Sequence, residues 1–285
     1  FEPASLVKTI HNLHIMRQVQ AGERLSSNFV YYNYPNSPFN AGTSNACPIP
    51  SDEVAANQIN STLDFGKDRM MTISDNRTTR GITLRYGLPA INATAQWAGM
   101  ASTDVDQDQV GCGWLGGKRN DTTLSDIGRL FEGVENGTFL GTGSFRTEFY
   151  QPMTGNAFNT TSGVENNIIT VVNEEAAKQG KSAIADDFVA GMNWRTKGGS
   201  YSIPCDQAGC AIGSIYVRSL GGRLTLPTKT SATTFGERDY VFGRFVNDLR
   251  INCTECPPQA PADAALVQVD KELFREVIAS ALQSW

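Results

Sequence analysis

Ser5 and Lys8 form the single Ser-x-x-Lys of the chain, and that spacing carries a chemical meaning. Residues i and i+3 share a helix face, so a Lys8 amine on the first turn of a helix lies beside the Ser5 hydroxyl. The start of a helix also offers unpaired N–H groups and positive potential. Both would steady negative charge growing on a carbonyl oxygen under attack by Ser5. A hydroxyl next to an amine at such a place is what nucleophilic catalysis by serine asks for. Two more polar clusters stand further along: Ser74-Asp75-Asn76, which occurs once, and Lys197-Gly198-Gly199-Ser200. Taken singly, a serine-capped helix, a polar turn and an edge-strand lysine beside a glycine pair are all commonplace.

The elements that must position these residues are legible in the hydrophobic pattern. Leu6, Ile10, Leu13 and either Met16 or Val19 predict a helix from Leu6 to about Ala21, stopped at Gly22. Asn28–Pro50, rich in Asn, Ser, Pro, Gly and Tyr, reads as a long loop. Helical patterns return over Asp52–Met100, punctuated by Gly81, Gly87 and Pro89, which puts Ser74–Asn76 between two helices. Asp104–Asn120 is irregular, and Asp121–Asp126 is a cap-rich entry to an amphipathic Ile127–Val134. A polar loop over Gly141–Asn167 precedes mixed segments up to about Asp187.

Beyond that point Phe188–Ile203, Ala211–Arg218, Arg223–Pro227 and Tyr240–Ile251 have strand composition, with Gly221-Gly222 as a turn. Lys197 falls in the first of these strands. Ala262–Trp285 closes the chain as a helix with Leu266, Val269, Leu273, Val277, Ala281 and Leu282 on one face. Helices, then an antiparallel meander, then a helix make an α+β protein.

The 285 residues allow one large domain or two small ones. A net charge of −5 argues against a nucleic-acid or anionic-membrane partner, because both favour basic surfaces. No apolar run approaches the roughly 18–20 residues that span a bilayer. Because the chain begins at Phe1, compartment is read from the six cysteines. The close pairs Cys205/Cys210 and Cys253/Cys256 suit local disulfides or, together, a four-thiolate zinc site. Disulfides are the expectation, and with them an extracytoplasmic location, secreted or periplasmic. Gly111–Gly116 fits G-x-G-x-x-G by letter, but it follows an acidic polar stretch rather than a strand. The only histidines are His11 and His14, and no G-x-S-x-G is present to support a Ser-His-Asp hydrolase. His11 is expected on the helix surface.

On helix, inter-helix loop and strand in this order, the three clusters resemble those of the serine-type penicillin-recognising hydrolases, the class A β-lactamases and low-molecular-weight penicillin-binding proteins. The flanks extend the resemblance over most of the chain: Phe1–Ser5, Ser74–Thr79, Gly87–Asn92, Trp97–Met100, Asp121–Thr123 and Leu130–Glu132. It implies one domain over 1–285. A helical lobe of about 22–187 would stand beside an antiparallel sheet and terminal helix of about 188–285, joined by the 1–21 helix. It implies Ser5 as nucleophile, Lys8 as candidate base, Ser74 as proton relay and Asn76 as partner of Lys8 and the substrate amide. Lys197 would attract a substrate carboxylate, Gly198 and Gly199 would flank the substrate, and the N–H groups of Ser5 and Ser200 would form the oxyanion hole. The substrate would be a small molecule or peptide. No cofactor or metal is implied.

Three departures qualify the resemblance. Class A enzymes deacylate with a Glu on the Ω-loop, and none stands between Asp104 and Asn120, where Asp106 and Asp108 are the nearest carboxylates. Gly198 replaces the usual hydroxyl residue after the strand lysine. The family places a helix and two strands before the nucleophile's helix, and only four residues precede Ser5 here. Either the chain is a fragment or those strands come from elsewhere, and the edge beside Tyr240–Ile251 is expected to be filled by a cleaved segment, a partner copy or the last helix. The implied activity is that of a serine hydrolase acting through an acyl-Ser5 intermediate on a lactam, amide or ester. It is β-lactamase-like or, as the missing Glu favours, penicillin-binding, peptidase-like or esterase-like, with a catalytically weak binding scaffold as the alternative.

Overall fold

The computed structural model describes residues 1–106, 119–153, 163–204, 213–229, 231 and 234–285. A 3₁₀ turn over Ala4–Val7 leads into helix α1, Lys8–Gln20. Every residue from Lys8 to Met16 is buried, because α1 runs through the middle of the helical lobe and meets protein on all sides. The expectation of a surface His11 is therefore corrected. His11 is 0% and His14 3% exposed, and burial above all pushes both imidazoles down to about 4. His14 Nδ1 lies 2.7 Å from Thr94 Oγ1. A helix buried all round carries polar residues inward without marking them in its periodicity.

Around α1 stand α2 (Leu63–Thr72), α3 (Asn76–Tyr86), α4 (Leu88–Trp97), α5 (Leu124–Glu135) and α6 (Ser144–Tyr150). Side chains cap three of them: Thr62 accepts from Phe65 N, Asp75 from Arg77 N and Thr123 from Asp126 N. Their apolar faces meet in one core of Leu6, Ile10, Leu13, Met70, Ile82, Ile91, Leu130 and Phe131.

The stretch expected as a loop from Asn28 holds strand β1 (Asn28–Tyr32), paired antiparallel with β2 (Gln58–Thr62). Its Phe29 is 0% exposed, and its ring lies so close to α2 and α3 that a Cβ on Gly66 would sit 2.4 Å from it and one on Gly81 2.6 Å. Gly81 is thus a close-approach residue inside α3 and not a break. Likewise α6 occupies part of the expected Gly141–Asn167 loop, anchored by Phe149 and Tyr150 against Phe131.

The second half begins with α7 (Val164–Lys178) and α8 (Ala185–Ala190). Strands β3 (Asn193–Pro204), β4 (Ser214–Lys229) and β5 (Phe235–Ile251) follow, antiparallel in the order β3-β4-β5, and then helix α9 (Gln259–Ser284). Phe188, expected to open the first strand, is buried in α8 instead.

Gly221-Gly222 is not a turn, and β4 runs straight through it. A Cβ on Gly222 would meet Arg195 O at 2.2 Å, and one on Gly221 would press on Ile127, Phe131 and Leu6. Glycine here permits tight strand and helix packing. Alternation along β4 then puts Leu224 and Leu226 into a second core with Ile168, Val172, Phe274 and Ile278. The sheet is covered on one face by α5 and the Ser5 turn, and on the other by α7 and α9.

No strand lies beyond β5 among the described residues. Its Phe242 packs edge-on to Phe274 at 4.8 Å, and Phe245 stacks on Phe1 at 5.4 Å. Cys253 and Cys256 form a disulfide, which removes the four-thiolate zinc site, and Cys47 is also disulfide-bonded. Cys112, Cys205 and Cys210 lie outside the described residues. No described helix is long and apolar enough to cross a membrane. The architecture is α+β, a helical lobe beside an antiparallel sheet flanked by helices.

Candidate active site

A cleft of about 440 Å³ opens between the helical lobe and β3, lined among others by Ser5, Ser74, Asn76, Lys197, Ser200 and Tyr201. Ser5 sits in the 3₁₀ turn, where residues i and i+3 eclipse one another, so Lys8 follows directly beneath it. Two non-glycine residues here have left-handed backbones, Ala4 at φ +46° and Ser74 at φ +61°. Such conformations cost about 1–3 kcal/mol and persist only where the surroundings over-determine them.

For Ala4 the surroundings are identifiable. Its N–H donates to Glu2 Oε1 at 3.0 Å, and burial pushes that carboxyl up to about 7. The preceding Pro3 carbonyl accepts from the Ser219 hydroxyl on β4. Strand β3 presses on the same turn through Gly199, where a Cβ would stand 2.4 Å from Ser5 N and 2.7 Å from Pro3 O. Gly199→Ala is accordingly expected to destabilise the fold by about 1–3 kcal/mol through overpacking, measured by denaturant unfolding. An unchanged midpoint would mean that β3 and the Ser5 turn are not in the contact described.

Ser74 is held between α2 and α3 by its neighbour. Asp75, 0% exposed, caps α3 and pairs with Arg69 at 3.1 Å and Arg77 at 2.9 Å. Asn76 donates its N–H to Ser44 O at 2.8 Å and its Nδ2 to Asn45 O at 3.4 Å, which orients its amide oxygen inward. Lys8 Nζ then reaches Ser74 O at 2.6 Å, Asn76 Oδ1 at 2.8 Å and Ser74 Oγ at 3.1 Å. Lys197 Nζ donates to the same Ser74 Oγ at 2.9 Å and to Gly198 O at 3.3 Å.

Both lysines are buried, at 0% and 3% exposure. Burial first, and then the Lys197 charge, holds the Lys8 amine well below its usual range. Burial brings Lys197 down to about 7. Ser74 O and Asn76 Oδ1 can only accept, so Lys8 donates to both, while the Ser74 hydroxyl can donate as well as accept. Lys197, Ser74 and Lys8 are joined by a continuous chain of hydrogen bonds.

Of the residues expected at the site, Ser5, Ser74, Asn76, Lys197, Gly198 and Ser200 line the cleft. Lys8 lies under it, bonded to two of them. Gly199 backs the Ser5 turn rather than the cleft. Asp106 is described but does not line the cleft, while Asp108 and Gly111–Gly116 lie outside the described residues. Sequence reasoning missed Glu2, Tyr201 and Ser219. Only Glu2 had a signal, a carboxylate three residues before Ser5, and nothing in the chain points from Ser219 to Pro3. Among the described residues no group of three or more His, Cys, Asp or Glu is placed to hold a metal ion.

The comparisons with known proteins bear on the fold and the family. No curated protein matches the sequence. Several solved structures share the fold. A class A β-lactamase representative from Bacteroides cellulosilyticus is 14% identical, with a TM-score of 0.61 over 97% of this chain and 84% of that one. A β-lactamase from Sphaerobacter thermophilus is 17% identical, with a TM-score of 0.62 over 97% and 83%. The TLA-3 extended-spectrum β-lactamase is 12% identical, with a TM-score of 0.64 over 98% and 85%. The pattern of the Beta-lactamase enzyme family matches residues 1–171, the stretch that carries Ser5, Lys8, Ser74 and Asn76, and the chain belongs to that family.

Proposed function

We propose that the chain is a serine hydrolase working through an acyl-Ser5 intermediate on a lactam, amide or ester. The observation that carries this reading is the convergence of Lys8, Ser74, Asn76 and Lys197 through direct hydrogen bonds beside the cleft that Ser5 lines. Membership of the family supports hydrolase chemistry. In the reaction, Ser5 Oγ attacks the carbonyl carbon and its proton passes to the Lys8 amine, whose proton affinity burial and the Lys197 charge hold well below the usual range. General-base help of this kind is worth about 10²–10⁴-fold. The Ser74 hydroxyl then hands a proton to the leaving group and is resupplied from Lys8. The N–H groups of Ser5 and Ser200 receive the oxyanion, and the Lys197 cation draws the substrate's negative charge. The Cys253–Cys256 disulfide supports an extracytoplasmic setting.

Gly198 offers no hydroxyl to a substrate carboxylate, and Asp106 stands outside the cleft lining. The first weakens recognition of the carboxylate that β-lactams carry and the second favours slow deacylation. Together they favour penicillin-binding, peptidase-like or esterase-like behaviour over efficient β-lactam turnover. Intact mass spectrometry after exposure to a labelled penicillin and to a fluorophosphonate tests this. A lasting adduct on Ser5 with little turnover is the expected result. Rapid turnover of the penicillin would place an efficient deacylating base in the cleft, and no adduct with either reagent would leave a binding scaffold.

A further inference from the structure

A second cavity, of about 340 Å³, lies at the start of β3, between the sheet and α6. Asn193, Arg195, Arg223, Arg146 and Tyr150 are in its wall. The strand register sets Arg195 directly opposite Arg223, and like charges facing each other across two strands are destabilising. Among the described residues one carboxylate serves the cluster. Glu135 accepts from Arg146 Nη1 at 3.1 Å and from Arg223 Nη1 at 3.2 Å. Arg195 has no carboxylate partner among the described residues, and its Nη1 donates to Trp194 O at 3.0 Å. Three guanidinium groups against one carboxylate leave two positive charges uncompensated around the cavity. Two polar atoms in its wall, Arg223 Nε and Asn193 Oδ1, are buried without any hydrogen-bond partner. A buried polar atom left in that state is costly, and the amide of Asn193 can turn to offer its N–H instead.

We infer that this cavity binds the doubly charged oxyanion group of a small ligand, with Arg195, Arg223 and Arg146 as its cationic walls. Guanidinium forks suit phosphate and carboxylate oxygens bidentately, and an anion between Arg195 and Arg223 would turn their repulsion into two ion pairs. Arg223 already lies over the Tyr150 ring, 4.8 Å from its centroid, so the cavity also offers an aromatic wall to an organic portion. Its size exceeds what one phosphate fills and sits within the range of small-ligand pockets.

The test reads binding alone, so it stands apart from the acyl-Ser5 reaction. Inorganic phosphate and phenyl phosphate are titrated into the full chain by calorimetry at constant ionic strength. One saturable site per chain is expected. Arg195→Gln should weaken it by at least about tenfold, the loss of a charge-assisted pair, whereas Lys197→Ala should leave it within about threefold. Tighter binding of phenyl phosphate would identify an organic ligand, and equal binding the bare ion; both support the site. Arg195→Gln should also melt no lower than the parent without phosphate, since it removes the repulsion, yet lose the stabilisation that phosphate confers. Absence of saturable binding, binding untouched by Arg195→Gln, or binding lost in Lys197→Ala would overturn the inference, the last by placing the anion in the Ser5 cleft.

Discussion

Lys8→Met is expected to slow acylation of Ser5 by about 10²–10⁴-fold, the range a positioned general base contributes, while the chain stays folded. Methionine nearly matches the stem of lysine in length and volume, so the filled space under the cleft is kept. What goes is the amine that contacts Ser74 O, Ser74 Oγ and Asn76 Oδ1. Two acceptors then lose their donor, at about 1–3 kcal/mol for each buried group left unpaired. Offsetting this, a buried amine no longer has to be stripped of water. The measurement is the rate of penicillin or fluorophosphonate adduct formation, with circular dichroism to confirm folding. A folded variant acylated within about tenfold of the parent, against the 10²–10⁴-fold expected for a lost base, would show that the base lies elsewhere.

Lys197→Met is expected to stabilise the protein while impairing it. Burial brings the Lys197 amine from 10.5 to about 7, so the folded state holds its proton less tightly than the unfolded chain does. The penalty is complete below pH 7 and fades as the pH rises toward 10.5. At about 1.4 kcal/mol per pH unit the gross cost is about 5 kcal/mol, and losing the hydrogen bond to Ser74 returns about 1. Lys197→Met should therefore gain about 2–4 kcal/mol at pH 6, a gain that largely disappears by pH 10.

Activity moves the other way. Acylation by the parent should fall above about pH 7, as Lys197 loses its proton, and the variant should be slower throughout without that fall. Paired unfolding and acylation profiles between pH 6 and 10 check both. A variant no more stable than the parent at pH 6 would show that Lys197 is not held against its own charge. This is the trade between stability and function expected where a cation is buried for chemistry.

The sequence by itself determined the chemical inventory and its local settings. Ser5 and Lys8 three apart at a helix start, Ser74–Asn76 between two helices and Lys197 on a strand followed from spacing and periodicity. So did the cap before α5 and the helix α9, though not all of its buried face: Val269, expected on it, is exposed, while Phe274 and Ile278 are buried. Each depends on residues within a turn or two of one another, where propensity and capping act. Tertiary structure alone decided what depends on contact between distant segments. Strands β1 and β2 exist because Phe29 finds the glycine gaps of α2 and α3. Gly221-Gly222 is strand because Arg195, Leu6, Ile127 and Phe131 crowd it, although a glycine pair read locally signals a turn. His11 and His14 are core because α1 is enclosed, a fact that no repeat along the helix records. The tie from Ser219 to Pro3 and the pressure of Gly199 on Ser5 arise the same way, from sheet strands packed on a helix start about two hundred residues away in the chain. Local sequence supplies the groups, but burial and close approach are properties of the assembled core. They also lower the proton affinity of Lys8 and Lys197.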